Sequence, residues 1–68
     1  MAADDPVDPM DLQEGSVVVL RALDDIPEHL FRVAEVYEDC VGGYSLTGPL
    51  KGEYGEPDFA LIKALHRR

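Results

Sequence analysis

Tryptophan is absent from the chain, cysteine occurs once, and basic residues number only six. Each shortage excludes something. A single cysteine cannot form an intramolecular disulfide and rules out a cysteine-rich zinc site. Six Lys and Arg against 14 Asp and Glu leave a formal net charge of −8. Direct nucleic-acid binding draws most of its free energy from basic groups that displace counterions at phosphates, so this balance argues against it. The same charge opposes attachment to anionic membranes and favours solubility, while leaving basic protein partners open. No window approaches the roughly 18 consecutive apolar residues of a membrane helix. The start of the chain lacks the basic cluster and apolar stretch of a signal peptide. With one free thiol and no export signal, a reducing cytoplasm is the expected compartment.

What is present is globular composition: 68 residues, 46% hydrophobic and 29% charged. That is one small domain with no room for a second core. A chain of this length buries only about 60% of its unfolded surface, so association would help to stabilise it.

The chain divides into an arm and a body. Residues 1–14 carry Asp4, Asp5, Asp8, Asp11 and Glu14, no basic residue, and Pro6 and Pro9. Self-repulsion and two prolines oppose regular structure, and an acidic flexible arm is expected. The alternative is that Val7, Met10 and Leu12 dock as an extended segment on the body or on a partner. Residues 15–68 form the single domain.

In the body, Val17-Val18-Val19-Leu20 is a β-branched apolar run and reads as a strand buried on both faces. Ala22 to His29, with two acids before Pro27, reads as a loop or one helical turn. Leu30 to Val41 supports two readings. Leu30, Val33, Ala34, Tyr37 and Val41 recur at helical spacing, Asp25 and Glu28 suit a capping box, and Gly42-Gly43 suits a helix end. As a strand, the segment places Phe31, Val33 and Tyr37 on one face and Leu30, Ala34 and Val36 on the other. Tyr44 to Gly48 alternates as a strand should, with 38–43 as the turn into it. Pro49 to Pro57 is punctuated by Gly52 and Gly55 and reads as a loop. Asp58 to Leu65 reads as a helical turn entering a short strand, or as a full helix. A pair of strands needs a third for stability in water, which a small meander supplies.

The order Gly15-Ser-Val-Val-Val-Leu, Phe31-Arg-Val-Ala-Glu-Val-Tyr, Gly43-Tyr-Ser-Leu-Thr-Gly-Pro, Phe59-Ala-Leu-Ile resembles an SH3-like small barrel. It is similar to short uncharacterised bacterial versions, some of them carried on mobile gene cassettes. The resemblance covers about Gly15 to Leu65 and implies a mostly β chain. Its fold would be a small antiparallel barrel with a long first loop, a turn near Asp39 and a short helical turn near Asp58. The alternative is an α+β fold with a helix at about 26–40. Peptide-binding SH3 domains use paired aromatics and a Trp that this chain lacks. The plasmid-type dihydrofolate reductases, also small barrels of this kind, carry a Val-Gln-x-Tyr motif that Gly43-Tyr44-Ser45-Leu46 does not match. No catalytic residue carries over from either.

Among residues that could carry chemistry, Tyr37, Tyr44 and Tyr54 stand out, because tyrosine joins a large apolar area to a polar tip. Tyr37 is expected to pack inside the barrel with its hydroxyl at the rim. Tyr54, among glycines and acids, either contacts a partner from an exposed loop or folds over the barrel's open end. Glu53 and Glu56, with Asp58 nearby, suit a basic partner or a cation, although acids on loops are commonly only solvated. The partner-binding candidates are therefore Tyr44, Tyr54, Glu53 and Glu56.

Other groupings fall short. Asp24, Asp25, Glu28 and His29 match no calcium or zinc spacing and read as a cap or solvated loop. His66, Arg67 and Arg68 make the one basic spot, suited to pairing with the acidic arm. Cys40 sits beside Glu38 and Asp39, which raise a thiol's pKa rather than lower it. No Ser, His and acid arrangement suggests a triad. The expectation is a non-enzymatic interaction module without metal or cofactor, binding a protein partner or itself. Two alternatives are an enzyme whose site forms only between subunits, and an acidic mimic of nucleic acid.

Overall fold

The computed structural model describes residues 12–66. Among them, β1 (Val17–Leu20), β2 (His29–Val36), β3 (Val41–Ser45), β4 (Tyr54–Gly55) and β5 (Ile62–Leu65) form one sheet. All neighbouring strands are antiparallel, in the order β4-β3-β2-β1-β5. A 3-10 turn, Phe59–Leu61, leads into β5. The expectation of a mostly β chain with a short helical turn near its end holds at this level. The sheet is open rather than closed into a barrel, with β4 and β5 as its edges. The connection between those edges is tied back to β3 by a bridge between Cys40 and Asp58. The Val41 N–H also donates to the Pro57 carbonyl at 3.1 Å.

No α-helix occurs among the described residues, so the reading with a helix at 26–40 is overturned. The reason lies in what the segment can pair with. As the central strand, β2 pairs with β1 over 29–32 and with β3 over 31–36, and Gly15 and Ser16 exchange bonds with Val33, so its backbone groups find partners on both sides. Phe31 and Val33 then face inward and are almost wholly buried, whereas Tyr37, on the helical stripe, is exposed.

Three local expectations also need correction. The first strand is not buried on both faces: Val18 and Leu20 are buried, while Val17 and Val19 are half-buried. Among the described residues no second layer covers the outer face. The turn placed at 38–43 is shorter, because Val41, Gly42 and Gly43 already belong to β3. The tight turn closes earlier, with the Tyr37 N–H donating to the Cys40 carbonyl at 2.8 Å. Finally, the loop 49–57 contains β4, whose Tyr54 and Gly55 pair with Tyr44 and Gly43.

Glycine at position 43 is required by strand proximity. A Cβ there would stand 2.0 Å from the Arg32 carbonyl oxygen and 2.9 Å from the Phe31 ring. The core contains Val18, Leu20, Phe31, Val33, Val41 and Ile62, with Phe59, Leu61 and Leu65 packed against it. Burying a side chain such as Phe31 contributes about 1.5–3 kcal/mol. Leu12, which the sequence groups with the acidic arm, is buried in the same cluster. The rest of that arm, residues 1–11, lies outside the described residues, as do Arg67 and Arg68 of the basic end.

One irregularity governs the outer face. Arg32 pairs with Tyr44 and Val33 with Gly43, but then Glu35 pairs with Gly42 and Val36 with Val41. β2 therefore carries one extra residue at Ala34, a β-bulge. Such an insertion reverses the faces of everything after it. Were Ala34 paired with Gly42 instead, Glu35 would follow Phe31 and Val33 toward the core.

Candidate functional site

The outer face of the sheet carries a cross-strand row in which Val17 opposes Arg32, Arg32 opposes Tyr44, and Tyr44 opposes Tyr54. The Tyr44 and Tyr54 rings meet edge to face, with centroids 5.4 Å apart and planes at 70°. That arrangement suits the ring quadrupoles and makes two walls of a corner. Tyr44 and Tyr54 remain 48% and 51% exposed, so they offer apolar area on a sheet rather than on a loop.

Tyr37, singled out with them in the sequence, joins them on this face. The expectation that it packs inside is wrong: it is 40% exposed. The bulge at Ala34 moves it to the outer face, over Gly42. A Cβ on Gly42 would lie 2.5 Å from the Tyr54 hydroxyl and 3.1 Å from Tyr37 Cε2, so both rings converge above this glycine. Gly42 is thus the floor of the cluster. Only the register shift between Val33 and Glu35 discloses this, and side-chain alternation along the sequence carries no mark of it.

Two carboxylates complete the group. Tyr54 donates its hydroxyl to Glu56 at 3.0 Å, and Tyr37 donates to Glu35. The Tyr37 phenol is raised well above its ordinary value, first by its bond to Glu35, then by Tyr54 and by burial. For Tyr54, the bond with Tyr37 pulls downward, but Glu56 and burial outweigh it and the net direction is upward. Both phenols stay protonated near neutrality. Among the described residues neither carboxylate has a salt-bridge partner; the ion pair found there joins Lys63 to Glu28 at 3.1 Å.

Of the four candidates named from the sequence, the structure brings Tyr44, Tyr54 and Glu56 together. Glu53 is exposed and lines a cleft with Leu23, Ile26, Leu50 and Leu61. This cleft, of about 320 Å³, opens between the first long loop and the β3–β4 connection, and Tyr54 and Glu56 form part of its wall. Tyr54 neither stands on a loop nor folds over a barrel end.

The remaining groupings resolve into local structure. Asp24 and Asp25 turn the first loop between Leu23 and Ile26, with Asp24 at φ 49°. His29 is buried, with Nδ1 2.9 Å from the Pro27 carbonyl, which fits an N–H donor at that position. Glu28 pairs with Lys63. Among the described residues no set of His, Cys, Asp and Glu is placed to hold a metal ion. The Cys40 thiol is pushed up, foremost by burial and then by Asp39, Glu56 and Asp58, so it is a poor nucleophile near neutrality. No helix among the described residues is long and apolar enough to cross a membrane.

No protein-family model matches this chain, and no curated protein or solved structure matches it either.

Proposed function

We propose that the chain is a non-enzymatic protein-interaction module of SH3-like type, acting in the cytoplasm. It binds a protein partner through the outer face of β2, β3 and β4. One observation carries the reading: three exposed tyrosines, Tyr37, Tyr44 and Tyr54, are gathered on paired strands instead of scattered. Aromatic side chains on a rigid frame lose little conformational entropy on binding and dominate the energetics of interfaces. The SH3-like part of the reading is supported by the strand order, the long loop after β1 and the 3-10 turn before the last strand. The edge strand β4 adds backbone groups through which a partner segment can extend the sheet.

The test compares the wild-type chain with a Tyr44→Ser, Tyr54→Ser double variant whose β content is unchanged by circular dichroism. Affinity capture and light scattering after size exclusion are applied to both. A partner, or a self-associated form, held by the wild type and lost by the variant supports the module. A strict monomer that retains nothing, or equal retention by both chains, refutes it.

A further inference from the structure

We infer that the tyrosine face is a receptor for an arginine side chain presented by an extended segment of the partner protein. This rests on the module proposed above and names the chemistry of what it takes. A guanidinium needs a flat π surface to lie on and carboxylate oxygens at its rim to accept its N–H groups. The face supplies both. Tyr44 and Tyr54 stand at 70° to one another, and Tyr37 flanks Tyr54 across Gly42. A planar cation can therefore stack on one ring while meeting the edge of a second.

Glu35 and Glu56 stand at the hydroxyl ends of the same rings. Each accepts one bond from a tyrosine, and a carboxylate offers about four acceptor positions, so most of that capacity is unused. No cation among the described residues neutralises either group. Arg32, opposite Tyr44, is the outward residue of β2 that precedes Glu35 across the bulge, and it forms no ion pair with that carboxylate. The bulge at Ala34 is what turns Glu35 toward this face. Bulges commonly re-aim a side chain beside a functional site. The formal charge of −8 adds long-range attraction for a basic segment and opposes docking of a second copy of this chain.

The experiment titrates the ¹⁵N-labelled full chain with a five-residue peptide holding one central arginine, and with the same peptide holding citrulline, its neutral isostere. The expected result is saturable shifts centred on the amides of Gly42, Tyr44 and Gly55. Citrulline should bind at least about tenfold more weakly. Glu35→Gln, an exposed change that leaves the fold intact, should weaken the arginine peptide by a similar factor, as should Tyr54→Leu. Equal binding of the citrulline peptide overturns the inference. So do shifts spread evenly over Asp24, Asp25 and Glu53. A doubled mass that Arg32→Gln abolishes would place a second copy on the face and overturn it as well. If a captured protein is lost on Tyr44→Ser with Tyr54→Ser while the arginine peptide never binds, the module stands and the arginine assignment falls.

Discussion

The Tyr54 hydroxyl lies 2.5 Å from the point where a Cβ on Gly42 would stand. A methyl group at position 42 therefore meets the far end of a flexible side chain, which can swing aside. Gly42→Ala is expected to fold, since strain is partly offset by an unfolded-state gain of about 0.4–1 kcal/mol for replacing glycine. Its tyrosine cluster, however, should open. Near-ultraviolet circular dichroism checks this: the tyrosine bands should change while the far-ultraviolet β signal persists. Unaltered tyrosine bands would mean that the rings do not rest on Gly42.

The neighbouring glycine behaves differently. At Gly43 the obstructing atom is the Arg32 carbonyl oxygen, 2.0 Å away, and it belongs to the paired backbone. Gly43→Ala should cost at least the upper end of the about 1–3 kcal/mol typical of overpacking. Urea unfolding of the two alanine variants side by side should show Gly43→Ala to be much the weaker.

Phe31 is 1% exposed at the centre of the core. Phe31→Ala should cost about 3–5 kcal/mol, enough to unfold a domain of this size. Phe31→Leu keeps most of the volume and should lose far less. Thermal unfolding of both variants reads out the difference, and equal loss would contradict a close-packed site.

The alkaline limb should report the tyrosines. Folding raises the Tyr37 phenol above its unfolded value, so the folded protein holds that proton more tightly. The resulting stability is fully present below the ordinary phenol value of about 10, and is lost as pH rises through the folded value. Absorbance titration at the tyrosinate band should show a late-ionising phase that Tyr37→Phe removes. Stability measured against pH should fall less steeply above pH 10 in that variant.

Cys40 should react slowly with iodoacetamide at neutral pH compared with a small free thiol. Burial first, and then the carboxylates around it, hold it in the protonated form. Asp39→Asn together with Glu56→Gln removes two of those carboxylates and should speed alkylation. A rate indifferent to both changes would show that these two carboxylates do not control the thiol.

Much of the sheet was legible in the residues. The valine run marked β1, Phe31 and Val33 marked the inward face of β2, and Phe59-Ala60-Leu61 marked the turn into β5. The competing helical pattern of Leu30, Val33, Ala34, Tyr37 and Val41 lost because helix spacing and capping signals are local. Pairing on both sides of β2 is not visible until β1 and β3 are in place. Gly42 and Gly43 read as a turn because glycine usually punctuates, whereas here both are strand residues beneath close neighbours. Tyr44, Tyr54 and Glu56 were found by residue type alone. Glu35 and Gly42 were missed, and Tyr37 was expected on the wrong face, for one shared reason: which way they point depends on a register shift.

That shift makes strand register, not side-chain identity, the control on the polarity of this surface. Pairing Ala34 with Gly42 in an unbroken ladder would direct an acid inward and return an aromatic ring to the interior. A slip of one residue in the pairing at this point would exchange the lining of the molecule for its exterior along the remainder of the hairpin arm. A change of register at this position, more than the replacement of any one side chain, is the route by which so small a sheet can gain or lose its adhesive patch.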